Sequence, residues 1–323
     1  KKEIFMAVTI KQMAKELGLS PASISLALRG KPRMSPETIR RVQELAKKLD
    51  YVQSNIGRAL QSRQSRLIGY LLPGVTRTFY NEILQGAGEE TAAHGYGLLV
   101  GWVNPGDEHV EHQVNLMLEK DIDGLIISES NHLLDPYLPR FMRRNKPVIF
   151  CSSIAPKKYI EVITDNFYGG FLAVETLAEF GHRHVLGCTE LPDRFKGNRA
   201  AARQYGLRLS RYHRIEDAVA ILMKHRDITA VAAYSDHQAL DIIYQLRQSG
   251  RRVPEDISVI GFNDGPMAAR PEFQLTTIAQ QRLELGRTAV RCLIGMIHTP
   301  DQHPVSQYLK PKLILRNTVQ KRS

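Results

Sequence analysis

The chain has 323 residues, more than one ordinary hydrophobic core organises and suited to two or three domains. Its basic surplus is concentrated at one end: residues 1–66 hold 14 Lys and Arg against 5 Asp and Glu, while the other 257 hold 30 against 28. No apolar run approaches the roughly 20 residues of a membrane helix, and Lys1–Met6 lacks the apolar stretch of a secretory signal, so the expected location is cytoplasmic, without membrane attachment. A short basic module on a balanced body implies that the module meets a polyanion. Nucleic acid leads, because phosphate neutralisation by Lys and Arg supplies most sequence-independent binding.

Within the module, Thr9 followed by Gln12 fits a helix-opening capping box. Ile10, Met13, Ala14 and Leu17 then share one helical face, and Gly18 supplies a left-handed terminator. Ser20-Pro21 opens a second helix over about 21–28, burying Ile24, Ala27 and Leu28. Its outward residues, Pro21, Ala22, Ser23, Ser25 and Leu26, are all uncharged. A solvated helix normally carries Glu and Lys there; one pressed into a DNA groove need not. Ser35-Pro36 opens a third helix with Ile39, Val42, Leu45, Ala46 and Leu49 as its apolar stripe. The pattern is a helix-turn-helix whose second helix enters the major groove. A three-helix bundle for protein contact is the alternative, and the charge surplus argues against it.

From Leu67 onward strands alternate with amphipathic helices. Apolar runs predict strands at 67–72, 97–103, 124–128, 147–151, 185–188, 230–233 and 257–261, with a helix near Phe79–His94 closing at Gly95. That order gives parallel sheet covered by helices on both faces, with ligands beyond the carboxyl ends of the strands. Between Gly206-Leu207 and Ala230 the chain is short, so that a strand and loop are expected to be missing and 208–214 to run almost directly into a helix. Cys151, Cys188 and Cys292 are far apart and read as structural thiols in a reducing compartment. Glu108-His109 and Glu111-His112 offer histidines near one helical turn apart but no third ligand, so no metal is expected. Gly86-x-Gly88 lies inside a predicted helix and is not a dinucleotide loop. No P-loop, nucleophile elbow or zinc-hydrolase motif occurs, and neither catalysis nor a cofactor is expected.

The run Thr9–Ser20, continuing through Ile24-Ser25, resembles the opening of the lactose-repressor/galactose-repressor family of bacterial transcription regulators. Lys48–Val52 and Arg58-Ala59-Leu60 resemble that family's third-helix end and hinge helix, and the similarity covers nearly the whole chain. The resemblance implies a helix-turn-helix domain at 7–52, a hinge at 53–65, and a two-lobed periplasmic-binding-protein-like core at 66–323. Its lobes would span about 66–164 and 165–290, with the last strands crossing back. Pro21, Ala22 and Leu26 would read base edges, Ser20, Ser23 and Ser25 would sit near phosphates or bases, and Thr9, Arg29, Asn55 and Arg58 join the DNA-binding set. Leu60 would wedge into the minor groove at the centre of a palindromic operator.

Three positions depart from the family: Leu26 stands where arginine is common, Gln53 where proline is frequent, and Gly57 where a better helix former is usual. Leucine cannot grip guanine but packs against a thymine methyl. For the effector, the resemblance points to Phe79 and Tyr80 after the first strand, Asp165 at the lobe crossing, Arg194 in Arg194–Ala201, and Asp236 in Tyr234–Ala239. That set suits a sugar or sugar acid: carboxylates accept from hydroxyls, a guanidinium donates a fork, and a ring covers the apolar face. The competing reading makes Asp165 and Asp236 caps of the following helices. The function implied is a homodimeric, effector-modulated repressor. An effector-independent regulator with a vestigial pocket is the alternative within the family. A sugar-binding transport protein would share the body but lack the basic module.

Overall fold

The computed structural model describes residues 8–28, 34–51, 64–74, 79–104, 109–128, 132–299 and 304–322. The chain divides into two compact units, Lys1–Ser65 and Arg66–Ser323. In the first, α1 (Ile10–Leu17), α2 (Pro21–Leu28) and α3 (Pro36–Lys48) close around Met13, Ile24, Ala27 and Val42, each fully buried. The Thr9 capping box is formed: Thr9 Oγ1 accepts from Gln12 N at 3.3 Å, while Thr9 N donates to Gln12 Oε1 at 2.7 Å. Gly18 ends α1 at φ 65°, the left-handed region where a side chain is strained.

The second unit contains two six-stranded sheets. The first lobe holds β1 (Leu67–Leu72), α4 (Phe79–Ala93), β2 (Gly97–Trp102), α5 (Val110–Glu119), β3 (Gly124–Ile127), α6 (Leu138–Met142), β4 (Val148–Cys151) and β5 (Ile160–Thr164). The chain then crosses to the second lobe: α7 (Asn166–Glu179), β6 (His184–Cys188), α8 (Pro192–Gln204), β7 (Arg208–Tyr212), α9 (Ile215–Lys224), β8 (Ala230–Ala232), α10 (Asp236–Gln248), β9 (Ser258–Asn263) and β10 (Thr277–Ala279). Helix α11 (Arg282–His298) returns to the first lobe with β11 (Gln307–Leu309), and β12 (Lys312–Ile314) completes the second. The sheet orders are β11-β5-β4-β3-β1-β2 and β12-β10-β9-β8-β6-β7, parallel except for the antiparallel pair β10–β12. Both cores are apolar on both sheet faces, as parallel sheet requires.

Two expectations need correction. The second lobe does not run to 290, because Leu285, Ala289, Val290 and Leu293 of α11 are buried in the first lobe's core. Nor is the strand after Leu207 missing: Arg208–Tyr212 is β7, an edge strand parallel to β6. Arg208 and Arg211 on its exposed positions hid it from a reading that sought apolar runs. What is short is the connection to α9, only His213 and Arg214.

Candidate nucleic-acid interface and effector cleft

On α2 the buried side is Ile24 and Ala27, while Pro21 and Ala22 are exposed and Ser23, Ser25 and Leu26 half-buried. Ser20 caps the helix: its Oγ accepts from Ser23 N at 3.1 Å and lies 2.9 Å from Ser23 Oγ. Two of the expected phosphate-contact hydroxyls therefore also hold the helix start. Thr9 likewise is both exposed and committed to its cap. Arg29, Asn55, Arg58 and Leu60, with Gln53 and Gly57, lie outside the described residues.

In the second unit, Phe79 and Tyr80 are the first residues of α4, and Tyr80 is buried in the first lobe's core. Phe79 is half-buried and meets Tyr80 edge-to-face, with centroids 5.1 Å apart. Asp165 acts as the cap of α7, its Oδ1 accepting from Tyr168 N at 2.8 Å. For Asp236 the capping reading fails: Ser235 caps α10, and Asp236 points inward. Its carboxylate accepts from Thr277 Oγ1 at 2.5 Å and Gly265 N at 2.6 Å, and burial raises its pKa to about 6.

Arg194 is 8 % exposed at the start of α8. It donates to the Tyr234 carbonyl and to Asn166 Oδ1 at 2.7 Å, and its guanidinium lies 3.3 Å from the Phe262 ring centroid. Burial lowers its pKa to about 10, still charged at neutral pH. The structure thus brings Arg194 and Asp236 to the carboxyl ends of the second lobe's strands, where parallel α/β folds hold ligands.

Sequence reasoning missed the groups that join the lobes there. Arg282, 7 % exposed at the first turn of α11, donates to the Asn263 carbonyl, to the Asp264 carbonyl at 3.0 Å, and to Glu82 Oε1 of α4 at 2.7 Å. Gln280 donates to Asn263 Oδ1 at 2.6 Å and accepts from Thr164 Oγ1 at 2.5 Å. Arg316 holds Asp264 Oδ1 at 2.7 Å. Asn263 and Asp264 both have positive φ, 117° and 57°, an arrangement no apolar periodicity announces.

Other constellations are peripheral. A hollow of about 430 Å³, lined by Thr189, Arg211, Tyr212, His213, Asp217, Ala220 and Ile221, opens at the end of β7, and its lining includes neither Arg194 nor Asp236. His184 links Asp227 Oδ2 and Ser210 Oγ at 2.8 Å each, a serine–histidine–aspartate line at the opposite, amino end of β6. Arg208 also occupies Asp227, so the set reads as a tie between β6, β7 and the segment before β8. The thiols Cys151, Cys188 and Cys292 are unpaired with one another, and burial pushes Cys151 up to about 12. Among the described residues no three His, Cys, Asp or Glu gather to hold a metal, and no helix is long and apolar enough to cross a membrane.

A helix-turn-helix unit with a two-lobed parallel α/β body defines the class of DNA-binding transcription regulators with a periplasmic-binding-protein-like core. Residues 174–319 match the periplasmic-binding-protein-like domain profile. The chain is 28 % identical to the transcriptional repressor CytR of Escherichia coli strain K12 over 97 % of its own length and 96 % of the relative's. It is 26 % identical to catabolite control protein A of Priestia megaterium, covering 89 % and 92 %. A crystal structure of the Lac repressor dimer bound to operator and an anti-inducer shares the fold with a TM-score of 0.83 at 22 % identity, over 98 % and 100 % of the two chains. A complex of the transcriptional regulator CelR with cellobiose gives 0.68 at 25 %, over 96 % and 99 %. Over nearly its whole length the chain is thus similar to transcriptional repressors of the lactose-repressor/galactose-repressor kind, a similarity that supports a DNA-binding regulator.

Proposed function

We propose that this chain represses transcription by binding a palindromic operator as a homodimer, and that a small sugar or sugar acid between the lobes alters operator affinity. One observation carries the reading: a basic helix-turn-helix is joined to a body that presents Arg194 and Asp236 at adjoining strand ends of one lobe. In this reading 7–52 is the DNA-binding domain, 53–65 the hinge and 66–323 the effector and dimerisation core of a cytoplasmic protein. Pro21, Ala22 and Leu26 face base edges. Ser20, Ser23, Ser25, Thr9 and Arg29 meet backbone or bases, and Asn55, Arg58 and Leu60 belong to the hinge. The relative solved with operator is a dimer, and another is solved with cellobiose, which supports both partners. Regulation is linkage: a ligand that binds one lobe arrangement better shifts the population, and with it operator affinity.

A second reading has its own support. The side chains of Arg194 and Asp236 are already engaged by protein groups, which suits a regulator without a small-molecule effector. Operator selection from random duplexes at fixed salt, repeated with pooled sugars and sugar acids, separates the two. A palindrome whose affinity moves with a ligand supports the first. A palindrome indifferent to all supports the second, and absence of a palindrome overturns both.

A further inference from the structure

The interlobe site contains a buried cation answered by a replaceable carboxylate. Arg282 is fixed on the second lobe by two main-chain carbonyls, those of Asn263 and Asp264. Its only carboxylate partner among the described residues is Glu82, whose side chain is 47 % exposed while that of Arg282 is 7 % exposed. One member of the pair is thus built into the protein, and the other stands at the solvent edge. The Nε–H of Arg282 is buried and unpartnered, as is that of Arg194. A buried donor without a partner is destabilising unless a ligand or water accepts from it.

Two further carboxylates lie near this point, and Asp236 acts electrostatically on both Arg282 and Arg194. Asp264 is ion-paired with Arg316, and Asp236 accepts hydrogen bonds from the neutral donors Thr277 Oγ1 and Gly265 N. Arg194 donates only to neutral acceptors and has no carboxylate partner among the described residues. Arg194 and Arg282 flank the same strand end, one over the Phe262 ring and the other on the Asn263 carbonyl. An acceptor with several oxygens and a negative charge matches two such guanidiniums better than a neutral hydroxyl does.

We propose that Arg282 is an anion subsite, that Glu82 occupies it as an internal stand-in, and that the effector is a sugar carrying a carboxylate or phosphate which displaces Glu82. This rests on the effector-modulated reading above, which it narrows. A neutral sugar would leave the Glu82–Arg282 tie in place, whereas an anionic one would exchange one ion pair for another and release the Glu82 side chain, with α4 still packed on α11.

The test is calorimetric titration of the full chain and its Glu82→Gln, Arg282→Lys and Arg282→Gln variants with glucuronate, gluconate, glucose 6-phosphate and glucose. Glu82→Gln weakens the internal competitor, so at least one anionic probe is expected to bind about tenfold more tightly than to the parent chain. Arg282→Gln is expected to lose that binding and Arg282→Lys to keep part of it, with glucose indifferent to all three. The carboxylate and phosphate arms identify which anion is preferred. Equal affinity of parent and Glu82→Gln for every anionic probe, or no anionic binding at all, overturns the subsite. If Arg282→Gln fails to fold, the Glu82→Gln and Arg282→Lys comparisons decide. Operator affinity that responds only to glucose overturns the subsite while leaving the effector reading intact; operator affinity indifferent to every ligand fails the effector reading itself.

Discussion

Gly86 of α4 and Gly286 of α11 lie against each other's helix so closely that neither position has room for a β-carbon. One added at Gly86 would overlap the Leu283 carbonyl oxygen, and one at Gly286 the Ile83 carbonyl oxygen. The second lobe repeats the device: a β-carbon at Gly170 of α7 would overlap the Arg194 carbonyl, and one at Gly197 of α8 the Phe167 carbonyl. The first helix pair carries Glu82 and Arg282 at its starts, and the second carries Asn166 and Arg194. Backbone-close crossings therefore set the reach of each of these hydrogen bonds.

Gly86→Ala is accordingly expected to destabilise the body by about 1–3 kcal/mol or more, the usual cost of overpacking. Gly88→Ala provides the contrast two residues away. Its β-carbon would meet nothing within 4 Å, and it removes a helix glycine, so a gain approaching about 1 kcal/mol is expected. Urea unfolding of both variants checks the pair, and equal effects would refute the packing argument.

Gly86 also illustrates what was legible. Its helical setting ruled out a phosphate loop from sequence alone, but the need for glycine there depends on Leu283, nearly 200 residues away. The alternation of strands and helices was readable where a strand is buried on both faces, as in Leu67–Leu72. It was not readable for Ile160–Thr164 or Arg208–Tyr212, whose partly exposed positions carry Glu161, Arg208 and Arg211. Arg194 and Asp236 followed from a family pattern. Arg282 did not, because its role is created by lobe apposition and by the left-handed pair Asn263-Asp264.

Asp236 should leave a signature in the pH dependence of stability. Burial raises its folded pKa to about 6, above the ordinary aspartate value, so the folded state holds this proton more tightly than the unfolded chain. The stabilising contribution is then complete below the unfolded pKa and is lost as pH rises through about 6. The loss is on the order of 2–3 kcal/mol. Asp236→Asn can still accept from Gly265 N while donating to Thr277, and it has no proton to lose. Denaturation at pH 4, 5, 6 and 7 should show the parent falling relative to this variant. Parallel curves would mean that Asp236 titrates normally.

Cap and fold are coupled in the basic unit. Thr9→Ala removes the side-chain acceptor for Gln12 N and is expected to cost about 1 kcal/mol. If Thr9 serves only as a cap, operator affinity should fall no more than the populated folded fraction does, which amide exchange in α1 measures. A larger loss at unchanged exchange protection would give Thr9 a direct DNA contact.

Ile24 and Leu26 separate packing from reading on a single helix. Ile24 is fully buried between α1 and α3, so Ile24→Ala is expected to cost about 2–5 kcal/mol, enough to unfold a unit this small and abolish operator binding at any sequence. Leu26, half-buried and absent from that cluster, should tolerate alanine with little loss of stability. If it packs on a thymine methyl, Leu26→Ala should relax preference at one base pair per half-site, by about 1 kcal/mol or more. The salt dependence of binding should stay unchanged, because no phosphate contact is removed. Selection of operators with parent and variant reads the first quantity and a salt titration the second. A shifted salt slope with unchanged base preference would place Leu26 off the base edges and leave Pro21 and Ala22 as the readers.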